Sequence, residues 1–171
     1  MRNNIFILTF LFSTTLIFAQ TDEKVNAIRK IVEQINKDTT YTTKTLDNLQ
    51  WMEQMADGGG QLTGYFKNGL LVKIVERVGF SSCVTTFEYY MQNNSLLFVY
   101  GQEKVFKYDD SISTFNSNIQ TIGMECRFYF DNNKLVQSKL TGQTRCSQQP
   151  SDADATNLLA DCKKYIEQLK K

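Results

Sequence analysis

The sequence predicts an α+β fold, an antiparallel meander sheet of about six strands with N- and C-terminal helices packed on one face. Three observations carry this reading. Asparagine-centred turns recur between runs of alternating polarity in the middle of the chain. Apolar residues at helical spacing mark a segment near the start, and a second stripe of the same period lies at the end. Strand signals grouped between helical ends describe an α+β chain, whereas a parallel sheet would alternate the two.

At the amino terminus a basic start, Met1-Arg2-Asn3-Asn4, precedes a largely apolar run from Ile5 to Phe18 and then Ala19-Gln20. That order describes a secretory signal peptide over residues 1–19, cut after Ala19. Its apolar run of about 14 residues is short against the ~20 needed to span a bilayer. No membrane insertion is therefore expected after cleavage, and residues 20–171 are expected to form a single α+β domain in the periplasm or outside the cell. No cysteine lies near the cut, so the chain is not expected to be a lipoprotein. Arg2 is the one charge in the signal, which leaves 18 basic and 18 acidic residues. Such a balance argues against nucleic acid as a partner.

The next elements follow in order. Asp22 and Glu23 open a helix over about 22–37 with Val25, Ile28, Ile31, Val32 and Ile35 on one face. Thr39 to Thr45 is rich in threonine and suits extended backbone. Leu46, Leu49, Met52 and Met55 recur every three residues and predict a short helix ending at Gly58-Gly59-Gly60. Strands then begin. Tyr65-Phe66 leads into Asn68-Gly69 and Leu70, Tyr89-Tyr90 into Asn93-Asn94 and Leu96-Leu97, and Tyr129-Phe130 into Asn132-Asn133 and Leu135-Val136. These are three hairpins on one pattern, because turns with positive φ favour Asn and Gly. Asp109 to Gln120 is polar and predicts a surface loop. Pro150-Ser151-Asp152 opens a last helix with Leu158, Leu159, Cys162, Tyr165, Ile166 and Leu169 as its apolar stripe.

Four cysteines in an exported chain predict two disulfides. Three connectivities exist. Cys126 shares a strand face with Met124, Phe128 and Phe130, and Cys162 lies on the last helix's stripe, so Cys126–Cys162 with Cys83–Cys146 is the favoured pairing.

The run from Gly59 to Ile74, with Glu88-Tyr89-Tyr90, Leu96 to Tyr100 and Arg127 to Asn132, resembles a group of small uncharacterised exported proteins of Gram-negative bacteria. More distantly, the aromatic, Asn-Gly, leucine hairpins are similar to variant MORN-type repeats. The resemblance covers roughly residues 58–136. It implies the sheet and carries no catalytic residue, cofactor or activity.

Composition excludes much chemistry. There is no histidine, so Ser-His-Asp and Cys-His catalysis and histidine-ligated metals are ruled out. Glu76, Glu88 and Glu125 on strands, with Asp109 and Asp110, are the carboxylates left for a glycosidase-like pair. The glycine triplet lacks the lysine and hydroxyl of a phosphate loop. No metal site and no cofactor is expected. Asp38-Thr39-Thr40 and Asp110-Ser111-Ile112 resemble the Asp-Ser/Thr-apolar acceptor of a bacterial O-glycosylation system.

Aromatic residues make up 12% of the chain. Neighbours on a strand face opposite sides, so each aromatic doublet sends one ring inward and one outward. The functional expectation is a non-enzymatic binding module presenting an exposed aromatic sheet face. Its contact residues would be Tyr65, Tyr89, Tyr90 and Tyr129, and its partner an unknown protein, a glycan or a small apolar ligand. The second expectation is a carboxylate-dependent hydrolase acting on an envelope or extracellular saccharide.

Overall fold

The computed structural model describes residues 8–171, with side chains from Thr21 onward. Seven strands follow one another in space as in sequence: β1 Thr42–Asp47, β2 Gly60–Lys67, β3 Leu70–Gly79, β4 Cys83–Gln92, β5 Ser95–Asp109, β6 Thr114–Asp131 and β7 Lys134–Gly142. Every neighbouring pair is antiparallel. The expected meander is present with one more strand, β1, formed by the threonine-rich stretch. Helix α1 spans Leu8–Lys37 and α2 spans Ala155–Lys170. Among the described residues no helix is long and apolar enough to cross a membrane.

Three of the hairpins share one geometry. Their turn residues Asn68-Gly69, Asn93-Asn94 and Asn132-Asn133 all have φ between 50° and 78°, the mirror-image turn that matches the twist of paired strands. Each also shifts register at the same place, between Tyr65/Phe66, Tyr90/Met91 and Tyr129/Phe130. One extra residue on the returning strand, Val72, Leu97 or Val136, is thereby left without a partner. The equivalent residues are therefore Tyr65, Tyr90 and Tyr129. Tyr89-Tyr90 is offset by one from the other two doublets, and Met91 takes the place of Phe66 and Phe130.

The two helices lie on opposite faces of the sheet, which corrects the expectation that they share one. On one face α2 buries Leu158, Cys162, Tyr165 and Leu169 over Leu62, Ile74, Tyr89, Val99, Cys126 and Phe128. On the other, Val25 and Ile28 of α1 cover Tyr90, Phe98 and Tyr129. The cause is the doublets themselves: with large apolar rings sent to both sides, each face needs a cover. Helix α2 crosses the strands, since Ser138 of β7 hydrogen-bonds Asp152 just before it and Leu169 near its end reaches Gly64 of β2.

Other boundaries differ from expectation. Helix α1 ends at Lys37 as predicted, yet its backbone is continuous from Leu8, so Asp22 and Glu23 stand within it and not at its start. The expected signal peptide covers residues 1–19, of which residues 1–7 lie outside the described residues. No α-helix forms over 46–55. Leu46 and Asp47 complete β1, Asn48 turns the chain at φ 45°, and only a 3-10 turn, Asn48–Gln50, follows. The 109–120 segment is also not a loop. Strands β5 and β6 continue there as a two-stranded arm, with Tyr108 and Phe115 edge-to-face at 5.4 Å across it.

Cys83 and Cys146 form the expected disulfide across 63 residues, compatible with an oxidising location. Beside it Glu103 is fully buried and accepts hydrogen bonds from the backbone N–H groups of Arg145, Cys146 and Ser147. The second bridge does not form: Cys126 and Cys162 are both free and buried. Both face the α2 core as the sequence implied. The slant of α2 separates them, however, placing the Cys162 sulfur 3.8 Å from Met91 of β4, while Cys126 on β6 sits against Gly101 of β5.

Candidate functional site

Alternation along the strands puts Tyr65, Tyr90, Phe98 and Tyr129 on the α1 face. They make an aromatic strip, with rings 5.6 Å apart for Tyr90–Phe98 and 4.8 Å for Phe98–Tyr129. Cations are set into it. Lys73 Nζ lies 4.8 Å from the Tyr90 ring and 5.9 Å from that of Tyr65, and the Arg29 guanidinium lies 5.5 Å from the Tyr129 ring. The strip is covered, though, with Tyr90 2% and Tyr129 4% exposed. Tyr65 is half-buried. Tyr89 is on the other face at 1% exposure, its ring 5.6 Å from that of Tyr165 on α2. The expected open aromatic surface is thus sealed, because α1 has the apolar stripe to seal it.

Helix α1 covers only part of this face. Next to it opens a groove of about 460 Å³ between the helix and strands β5 and β6, lined by Arg29, Val32, Asn36, Phe98, Arg127 and Tyr129 among others. A second hollow of about 360 Å³ shares Arg29, Arg127 and Tyr129 and extends over β7 to Gln137 and Lys139. Sequence reading missed Arg29, Arg127 and Lys139. The signal was present in the third hairpin, where alternation aligns Arg127 with Tyr129. Placing Lys139 opposite Arg127 required the register shift at Tyr129/Phe130.

Beside the groove, on the same sheet face, polar side chains pair with one another. Tyr100 donates to Glu125, which also pairs with Arg127 at 3.3 Å, and the Arg127 guanidinium lies 5.0 Å from the Tyr100 ring. The Tyr100 hydrogen bond is the main cause holding the Glu125 carboxyl below its ordinary value, helped by Arg127. Glu88 pairs with Lys73 at 3.0 Å and accepts from Tyr90.

Glu76 lies on the opposite face, where Tyr89 donates to it at 3.1 Å and Tyr165 donates as well. Burial raises its carboxyl to about 7 against those bonds. The three strand glutamates are therefore divided between two faces. Asp109 accepts from Ser111 and Asn116 in the arm's turn. Cys83, Glu103 and Cys146 gather their sulfur and oxygen atoms within 4.8 Å, but the sulfurs are joined to each other and the carboxylate is occupied by N–H donors. That cluster holds the chain after β7 in place. Of the two acceptor-like tripeptides, Thr39 and Ser111 are both exposed.

Comparison with protein-family models, with curated proteins and with solved structures finds no match to this chain.

Proposed function

We propose that the protein is an exported, non-enzymatic binding module whose ligand enters the groove between α1 and strands β5 and β6. The observation that carries this reading is the partial cover of one sheet face. Helix α1 closes the aromatic strip yet leaves about 460 Å³ open beside it, with apolar Val32 and Phe98 next to the polar ends of Asn36, Arg127 and Tyr129. Small-molecule sites combine those properties, a concave apolar wall with a few directed polar groups.

The reading keeps the sheet face proposed from sequence and moves the contact from the sealed rings to their uncovered margin. Both walls are held by packing, the helix through Val25 and Ile28 and the strands through their ladders.

The test uses 8-anilinonaphthalene-1-sulfonate, an aromatic probe that fluoresces when it leaves water. It should saturate at one per chain, and Val32→Trp, which fills the groove from the helix side, should weaken it at least tenfold with the unfolding midpoint preserved. Binding without saturation, or saturable binding indifferent to Val32→Trp, refutes the groove as the site.

A further inference from the structure

We infer that the groove selects a ligand with an anionic head, a carboxylate, sulfate or phosphate, carried on an apolar body. The inference rests on the groove being the binding site and adds the chemistry of what binds there.

Its first support is a pair that sheet energetics disfavours. Arg127 on β6 and Lys139 on β7 are direct cross-strand partners, and both line the same hollow. Like charges placed directly opposite destabilise a sheet. Arg29 adds a third cation from α1. The remaining lining residues of that hollow are Tyr129 and Gln137, so no carboxylate faces the three cations from its walls.

Their existing partners leave charge to spare. Arg29 donates to neutral oxygens, Asn26 Oδ1 and Tyr129 Oη, each at 3.2 Å. Arg127 shares Glu125 with the Tyr100 hydroxyl. Lys139 has no ion pair among the described residues. In the adjoining groove Glu33 is the acidic lining residue, and Lys37 neutralises it at 2.6 Å. A chain with near-equal acidic and basic totals therefore concentrates positive charge at one spot. Guanidinium groups offer planar paired donors that fit carboxylate, sulfate and phosphate oxygens.

Position adds the apolar half of the ligand. The hollow that holds the cation trio adjoins the groove walled by Val32 and Phe98, and Arg29, Arg127 and Tyr129 line both parts. A head bound by the three cations would place its body along that wall. Because Arg29 belongs to the helix while Arg127 and Lys139 belong to the sheet, one anion would bridge the two.

The experiment compares two probes of nearly the same shape, 8-anilinonaphthalene-1-sulfonate and the neutral N-phenyl-1-naphthylamine, on the full chain. The sulfonate should bind at least tenfold tighter. Lys139→Gln should weaken the sulfonate about fivefold, leave the neutral probe unchanged and leave the unfolding midpoint equal or higher, since it relieves a repulsion. Arg127→Gln combined with Lys139→Gln should remove the sulfonate's advantage altogether. Equal affinity for both probes, unmoved by Lys139→Gln while Val32→Trp still blocks both, overturns the anion inference and leaves the groove standing. If neither probe saturates, both readings fall.

Discussion

Tyr89 and Tyr90 are consecutive in the chain and belong to different cores. The ring of Tyr89 packs edge-to-face on Tyr165 of α2, and that of Tyr90 packs on Phe98 beneath α1. One peptide bond thus links the two layers that give the sheet its two covers.

Truncating either ring should unfold the protein more readily, and should not act as a silent surface change. Tyr89→Ala and Tyr90→Ala are each expected to cost about 3–5 kcal/mol, the range for emptying a buried aromatic site. Urea unfolding followed by tryptophan fluorescence measures it, with Trp51 of the α2 core as the single reporter. A midpoint unchanged in Tyr90→Ala would mean that α1 does not cover the strip.

Stability should fall as pH rises from about 4.5 to about 7. Glu76 is raised to about 7 in the folded chain from an ordinary 4.5. Over that interval the unfolded chain ionises this carboxyl while the folded chain keeps it protonated, so ionisation favours unfolding. The groups facing it are Tyr89 from β4 and Tyr165, Asp161 and Lys164 from α2. Asp38, held down to about 2 chiefly by its hydrogen bond from Lys67, acts at lower pH and in the opposite direction. The decline should be on the order of 2–3 kcal/mol, and Glu76→Gln should flatten it in urea titrations at pH 5 and pH 8.

Thiol counting separates the cysteines. Burial pushes the Cys126 thiol up to about 11 and the Cys162 thiol to about 12, so neither presents a reactive thiolate. Ellman's reagent should find no reactive thiol in the native protein and two after unfolding without reductant. Replacing both Cys83 and Cys146 by Ser should cost about 2–4 kcal/mol, because the bond closes a 63-residue separation. Four thiols in the denatured, unreduced protein would contradict the bridge.

Turn chemistry can be tested at Asn133, which has φ 59°. Asn133→Gly should leave stability equal or raise it by up to about 1 kcal/mol, and Asn133→Val should cost about 2 kcal/mol, since a β-branched residue resists positive φ. Thermal melts of the two variants decide it. Similar melting temperatures would argue against the mirror-image turn.

The hairpins were legible because their information is local. Asn-Gly and Asn-Asn specify a backbone that few other pairs tolerate, and alternation beside them specifies which side chains share a face. The stripe of α2 was legible for the same reason, its period matching 3.6 residues from Leu158 to Leu169. The short helix expected over Leu46 to Met55 failed where a three-residue apolar repeat competed with pairing to β2, which takes Leu46 and Asp47 into a ladder. The 109–120 segment failed because its polar composition hid a cross-strand ring pair.

By itself, then, the sequence determined the antiparallel meander, its three equivalent turns, the apolar faces of both terminal helices and the Cys83–Cys146 bond as one of the possible pairings. Only tertiary structure decided which face each helix covers, that Cys126 and Cys162 remain apart, and that Arg29, Arg127 and Lys139 converge. The physical reason is that local signals specify how a segment is shaped and which side of it is apolar. The slant of a helix across strands, or a one-residue shift in register, is set by packing among residues far apart in the chain.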